Sequence, residues 1–211
     1  MTKKTLNQNA KYVQELIDAI EPNFIFSNKP IDRFKFTENS NDNTNQDKTE
    51  QLSALKEKIN SIENCNLKDN SKNLIMGNGN INSSIMLIGE APGAAEEKTG
   101  VSFESDVGSL LNKMLLAINI KREKVYLTYS INFRPPEDRK PTSQEIKRYS
   151  IFLKEHISII NPKIIILMGS TAMEAVTGLN SRISNERGKW KEIIFKNKTF
   201  PIMITFNPSY L

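Results

Sequence analysis

Cysteine is nearly missing from this chain of 211 residues: Cys65 stands alone, which excludes an internal disulfide framework and any all-cysteine metal site within one chain. Histidine is as scarce. With His156 as its one imidazole, the chain has no His-rich metal site and little scope for a His-based triad. Long apolar runs are lacking too. No stretch approaches the ~18 apolar residues that a membrane span needs, so no transmembrane segment is expected. The opening MTKKTLNQNAKYV has charge but no apolar core, which argues against a secretory signal and for a cytoplasmic protein. Charge itself is plentiful, and it tips one way. Lys+Arg total 29 against 24 Asp+Glu, a net +5, which leans toward a polyanionic partner.

What is present is enough for one core: 38% of the residues are hydrophobic. Tyr12, Val13, Leu16, Ile17 and Ile20 fall at helical spacing, and with the aromatic scatter that follows they predict a helix and arm over 1–37. Residues 38–48, ENSNDNTNQDK, hold no apolar side chain and read as a disordered polar linker. The globular domain is expected over 49–211, starting with a helix capped by Thr49 and striped by Leu52, Leu55, Ile59 and Ile62. Strands are expected at Ile85–Ile88, Val125–Thr128, Lys163–Met168 and Thr199–Phe206. They alternate with helices around Leu110–Leu115, from Thr142 or Ser143 through Ile157, and over Ala172–Val176. Apolar strands without polar alternation are buried on both faces. The class is therefore α/β: a three-layer α/β/α sandwich with a short, mostly parallel central sheet.

In such sheets ligands bind beyond the carboxyl ends of the strands, which selects 89–103, 129–139, 169–171 and 207–211. Gly89-Glu90-Ala91-Pro92-Gly93 combines a turn that lets backbone approach a ligand with a carboxylate, and Glu96 and Glu97 follow closely. Gly108-Ser109 opens a helix, where free N–H groups favour phosphate. In 132–141 three prolines stiffen a loop carrying Arg134, Arg139 and Lys140, which can face phosphates. From spacing alone, each of these segments also reads as an ordinary loop with solvated charge.

Taken in order, the segments resemble one family. GEAPG, then EEKTG, Phe103 and GSLL, then VYLT, RPP and RKPT, then PKIIILMG, RGKW and a terminal NPSYL look like the family 4 uracil-DNA glycosylases of the uracil-DNA glycosylase superfamily. The likeness runs from about residue 62 to 211, and the N-terminal helix with PIDRF resembles the leading arm of some bacterial members. It implies a DNA repair enzyme, a monomer, that turns a uracil nucleotide out of single- or double-stranded DNA and hydrolyses its N-glycosidic bond. An oxocarbenium-like sugar and a uracil anion then need a carboxylate, a placed water and donors to O2. On this likeness Glu90 and the Ala91 backbone line the pocket floor, Glu96 holds water or sugar, and Phe103 stacks on the base. Gly108, Ser109 and Ser209 contact phosphates.

Several positions depart from the family pattern. Tyr129 stands where an Asn reads the uracil edge, and a phenol cannot pair bidentately. Asn207 replaces a His facing O2; its amide still donates. Asp138 replaces a water-positioning amide and is a candidate base. Relatives often carry a four-iron cluster on cysteines, but the matching positions are Ile62, Cys65, Phe133 and Tyr149. One thiol cannot hold a cubane, so no metal and no cofactor is expected, with an apolar plug in its place. Relatives also continue into a Leu-Arg pair and a closing helix. The alternative reading is a catalytically weak or inactive DNA-binding relative that recognises lesions. His156, far in sequence from every motif, is expected to be structural or exposed, and Trp190 to be a core or rim aromatic.

Overall fold

Runs such as Ile85-Met86-Leu87-Ile88 and Ile164-Ile165-Ile166-Leu167-Met168 leave no polar residue to face water, so each strand must be covered on both sides. The computed structural model describes residues 41–210, which belong to the second of the two units into which the chain divides at Asn39–Ser40. The helix and arm expected over 1–37 lie outside the described residues. In chain order the elements are α1 (Asn41–Asn60), α2 (Asn66–Asn70), β1 (Asn78–Gly79), β2 (Ile85–Gly89), α3 (Ala94–Thr99), α4 (Asp106–Ala117) and β3 (Tyr126–Tyr129). They are followed by α5 (Ser143–Ile160), β4 (Ile164–Met168), α6 (Ser170–Thr177), α7 (Ile183–Glu186), β5 (Trp190–Phe195) and β6 (Lys198–Thr205).

The sheet order is β1-β3-β2-β4-β6-β5. The four inner strands run parallel, and both edge strands are antiparallel. Met86, Ile88, Ile165, Ile202 and Ile204 turn to one face, under Leu153, Ile157 and Ile160 of α5 and Ala172, Met173 and Val176 of α6. Leu87 and Leu127 turn to the other, under Leu111 and Leu115 of α4. The three-layer sandwich is thus the observed architecture. Chain connections leave β2 and β4 in opposite directions along the sheet, so a crevice opens at their carboxyl ends.

Two expectations are corrected. The segment 38–48 is not linker throughout, because α1 begins at Asn41 rather than at a Thr49 cap. Its polar amino-terminal half is tied to the rest of the domain by Lys48, whose Nζ donates to the carbonyls of Ile81 (3.2 Å) and Ile160 (2.9 Å), and internally by Gln51 Nε2, which donates to Asp47 Oδ1 at 2.8 Å. Strand β5 was not anticipated. It is an edge strand whose side chains alternate between exposed and half-buried. It turns into β6 through Lys196 and Asn197, both left-handed (φ 48° and 57°), as tight hairpins require. No helix among the described residues is long and apolar enough to cross a membrane.

Candidate active site

The loop after β2 is organised by Glu96. One carboxylate oxygen accepts the Gly93 N–H at 3.0 Å, and the other accepts the Ser105 N–H at 3.2 Å, so a single buried side chain closes the loop between 93 and 105. Burial by itself would raise this carboxyl; the hydrogen bonds from Ser105 and Gly93 outweigh it and hold Glu96 below the usual carboxylate range. Gly93 permits the close approach: a Cβ there would sit 3.1 Å from Glu96 Oε2 and 3.8 Å from Asp138 Oδ1. An acid at the start of α3 and an acid of the proline-rich loop therefore flank one glycine.

Phe103 takes a left-handed backbone (φ 57°), which is uncommon for a bulky residue and is held only by its surroundings. The hold is Gly108, where a Cβ would fall 1.8 Å from the Phe103 carbonyl oxygen. Gly108 is buried, and its small size seats Phe103. Ser109 is exposed one residue on. The Phe103 ring lies face to face with Tyr129, with centroids 4.5 Å apart and planes at 16°. The Tyr129 hydroxyl accepts the Phe103 N–H at 2.9 Å. Both rings are buried. Burial, and then the charge of Glu96, push the Tyr129 phenol well above its ordinary range.

The proline-rich loop is tied inward. Arg134 forms two bonds to Asp138 (2.7 and 2.9 Å) and a third to Glu97 at 3.1 Å. Arg139 is bidentate on Glu145 at 2.7 and 2.9 Å. Both arginines, expected on phosphates, are paired inside the protein. The bonds from Arg134 hold the Asp138 carboxyl below its ordinary value. A group already ionised so firmly is a poor proton acceptor, which speaks against Asp138 as the base.

After β6, Asn207 Oδ1 accepts the Ser209 N–H at 3.2 Å, which leaves its Nδ2 donor without a partner among the described residues. Gly169, at the end of β4, lets Asn207 come close; a Cβ there would lie 3.3 Å from Asn207 Cβ.

These loops enclose a cleft of about 300 Å³ at the carboxyl end of the sheet. Glu90, Ala91, Glu96, Phe103, Tyr129, Asp138, Arg139, Asn207 and Ser209 line it; Gly108, Ser109 and Arg134 do not. Of the three lining acids, Glu90 alone has a carboxylate with no hydrogen bond or ion pair among the described residues; its backbone carbonyl accepts the Ser130 N–H at 3.2 Å. A hollow of about 470 Å³ bordered by Lys58, Glu155 and Lys196 contains none of the expected residues. Ser105 and Val107 line the cleft without having been singled out. Arg122 was missed as well: it donates to the Ser102 carbonyl at 2.7 Å and to Asn78 and Asn112, fixing the segment before Phe103. No sequence motif marks it, because its partners come from separate segments.

The four positions that match a cluster-binding set in the resemblance do meet, around Tyr149. Its hydroxyl lies 3.2 Å from Cys65 Sγ. Phe133 stands edge-on to its ring at 6.3 Å, and Ile62 packs on the same buried group. One thiol, one phenol and two hydrocarbon side chains do not fit an iron–sulfur cubane.

Residues 76–211 match the profile of the Uracil DNA glycosylase superfamily. The chain is similar to the Type-4 uracil-DNA glycosylase of Thermotoga maritima, 36% identical over 163 residues, covering 77% of this chain and 83% of that one. It is 31% identical over 164 residues to the Type-4 uracil-DNA glycosylase of Archaeoglobus fulgidus, covering 76% and 82%. It is 35% identical over 166 residues to that of Sulfurisphaera tokodaii, covering 75% and 74%.

Proposed function

As the chain belongs to the uracil-DNA glycosylase superfamily, we propose that it excises uracil, or a related deaminated base, from DNA by hydrolysing the N-glycosidic bond of a nucleotide turned out of the strand. The observation that carries this reading is one cleft in which a free carboxylate, two tied anions and an unpartnered amide donor converge at the carboxyl ends of the strands.

In the transition state the sugar gains positive charge and the base leaves as an anion. The Glu90 carboxylate, which has no partner among the described residues, positions the attacking water and takes its proton. Glu96 and Asp138 stay ionised and stabilise the cationic sugar as fixed charges that need no reorganisation. Asn207 Nδ2 donates to the departing O2. Ser109 and Ser209 are exposed hydroxyls beside the cleft and serve the phosphates. The chemistry uses no metal, and the fold does without an iron–sulfur cluster.

The test is an end-labelled oligonucleotide with one uracil, single- and double-stranded, incubated with protein and then treated with alkali. The expected result is a strand break at uracil and none at thymine or cytosine. Binding without a break would replace this reading with that of a lesion-recognising relative.

A further inference from the structure

We propose that Tyr129 is a built-in occupant of the base slot, which the flipped base must displace before it can stack on Phe103. This rests on the glycosylase reading above and concerns how the substrate gains access.

Three observations carry it. The first is the stacking of the two rings, with centroids 4.5 Å apart and planes at 16°. Aromatic carbons touch at about 3.5–4.0 Å, so no third ring fits between them. The second is the space behind. A Cβ on Gly89 would meet Phe103 Cζ at 2.7 Å and Tyr129 Cδ1 at 3.1 Å, so the pair is pressed against the end of β2 and cannot retreat that way. The third is polar. The Tyr129 hydroxyl accepts the Phe103 N–H at 2.9 Å, and it stays protonated beside the Glu96 anion. The phenol thus acts as an aromatic ring with a polar edge, stacked and hydrogen-bonded as a flipped pyrimidine would be.

An occupied slot lowers apparent affinity by the fraction of molecules in which it is open. One aromatic pair and one hydrogen bond together correspond to a penalty of roughly ten- to a hundredfold. Tyr129 therefore works against weak ligands: a base enters only if stacking and edge contacts in the slot exceed those of the phenol.

The test compares wild type, Tyr129→Ala and Tyr129→Phe in two assays: the thermal shift caused by free uracil, and single-turnover excision from a uracil oligonucleotide. Tyr129→Ala should bind uracil and excise it roughly ten- to a hundredfold better than wild type, with Tyr129→Phe between them because it keeps the ring and loses the hydroxyl. Circular dichroism shows that each variant is folded. A folded Tyr129→Ala that neither binds uracil more tightly nor cuts faster overturns the proposal; slower cutting would make Tyr129 a reader of the base. Tighter uracil binding with no cutting by any variant supports the occupant and removes the glycosylase reading instead.

Discussion

Gly108 decides where the aromatic floor of the cleft sits. Because a Cβ there would land 1.8 Å from the Phe103 carbonyl oxygen, Gly108→Ala forces backbone to move under a residue already at φ 57°. We expect a loss of about 1–3 kcal/mol, as for other overpacked sites, measured by urea unfolding; a variant as stable as the parent would contradict the packing described. His156 makes a second prediction. It is fully buried, and burial lowers its pKa from 6.5 to about 4, while its Nε2 meets the Tyr126 hydroxyl at 2.9 Å. The unfolded chain takes up this proton below about pH 6.5 and the folded chain only below about 4. Stability from the neutral imidazole is therefore complete above pH 6.5 and is lost as pH falls toward 4, by roughly 3 kcal/mol. His156→Gln should flatten that part of the pH–stability curve; an unchanged slope would sink the assignment. Sequence reading left His156 as either structural or exposed; its burial decides for the structural role. It read Gly108 only as a glycine at a helix start; that its missing Cβ also makes room for the Phe103 carbonyl depends on the position of Phe103, which the sequence does not show.

The amino end of α5 is the element that governs the proline-rich loop. Thr142 and Glu145 exchange bonds across the first turn, 3.3 Å to the Glu145 N–H and 2.8 Å from the Thr142 N–H, a pattern visible in the sequence. Less visible was that Arg139 clamps the same Glu145 and holds its carboxyl down to about 2. A guanidinium spent on an internal carboxylate releases few counterions from DNA. Arg139→Ala should therefore change the salt slope of DNA binding by much less than the ~0.9 expected for one phosphate contact and should lower the melting temperature. A slope reduced by a full contact would return Arg139 to the phosphates. Strands β2 and β4 were legible because their doubly buried runs, Ile85–Ile88 and Ile164–Met168, carry only Ile, Leu and Met. Strand β5 was not, since Trp190 and Ile194 are exposed and its Trp-Lys-Glu-Ile-Ile-Phe sequence does not alternate. Helix α1 was begun too late because its polar amino-terminal half is tied, through Lys48, to carbonyls of Ile81 and Ile160, more than thirty residues away.

At the scale of the molecule, order along the chain was enough to give the α/β sandwich, since each strand–helix unit leaves its ligand loop at one end of the sheet. The list of cleft residues was largely legible for the same reason. Their commitments to one another were not: that Glu96 and Asp138 are tied and Glu90 is free depends on contacts between segments. The plug around Tyr149 yields a further expectation. Protein purified without oxygen should be colourless near about 400 nm and should melt at the same temperature with or without an iron chelator; stoichiometric iron would contradict it. The account as a whole rests on the division of labour among the three acids. It is tested most directly by single-turnover excision of uracil by wild type, Glu90→Gln and Asp138→Asn. We predict a loss of about a hundredfold or more for Glu90→Gln and of less than about tenfold for Asp138→Asn, whose fixed charge is already shared with Arg134. The reverse order, or no excision by wild type, would contradict it.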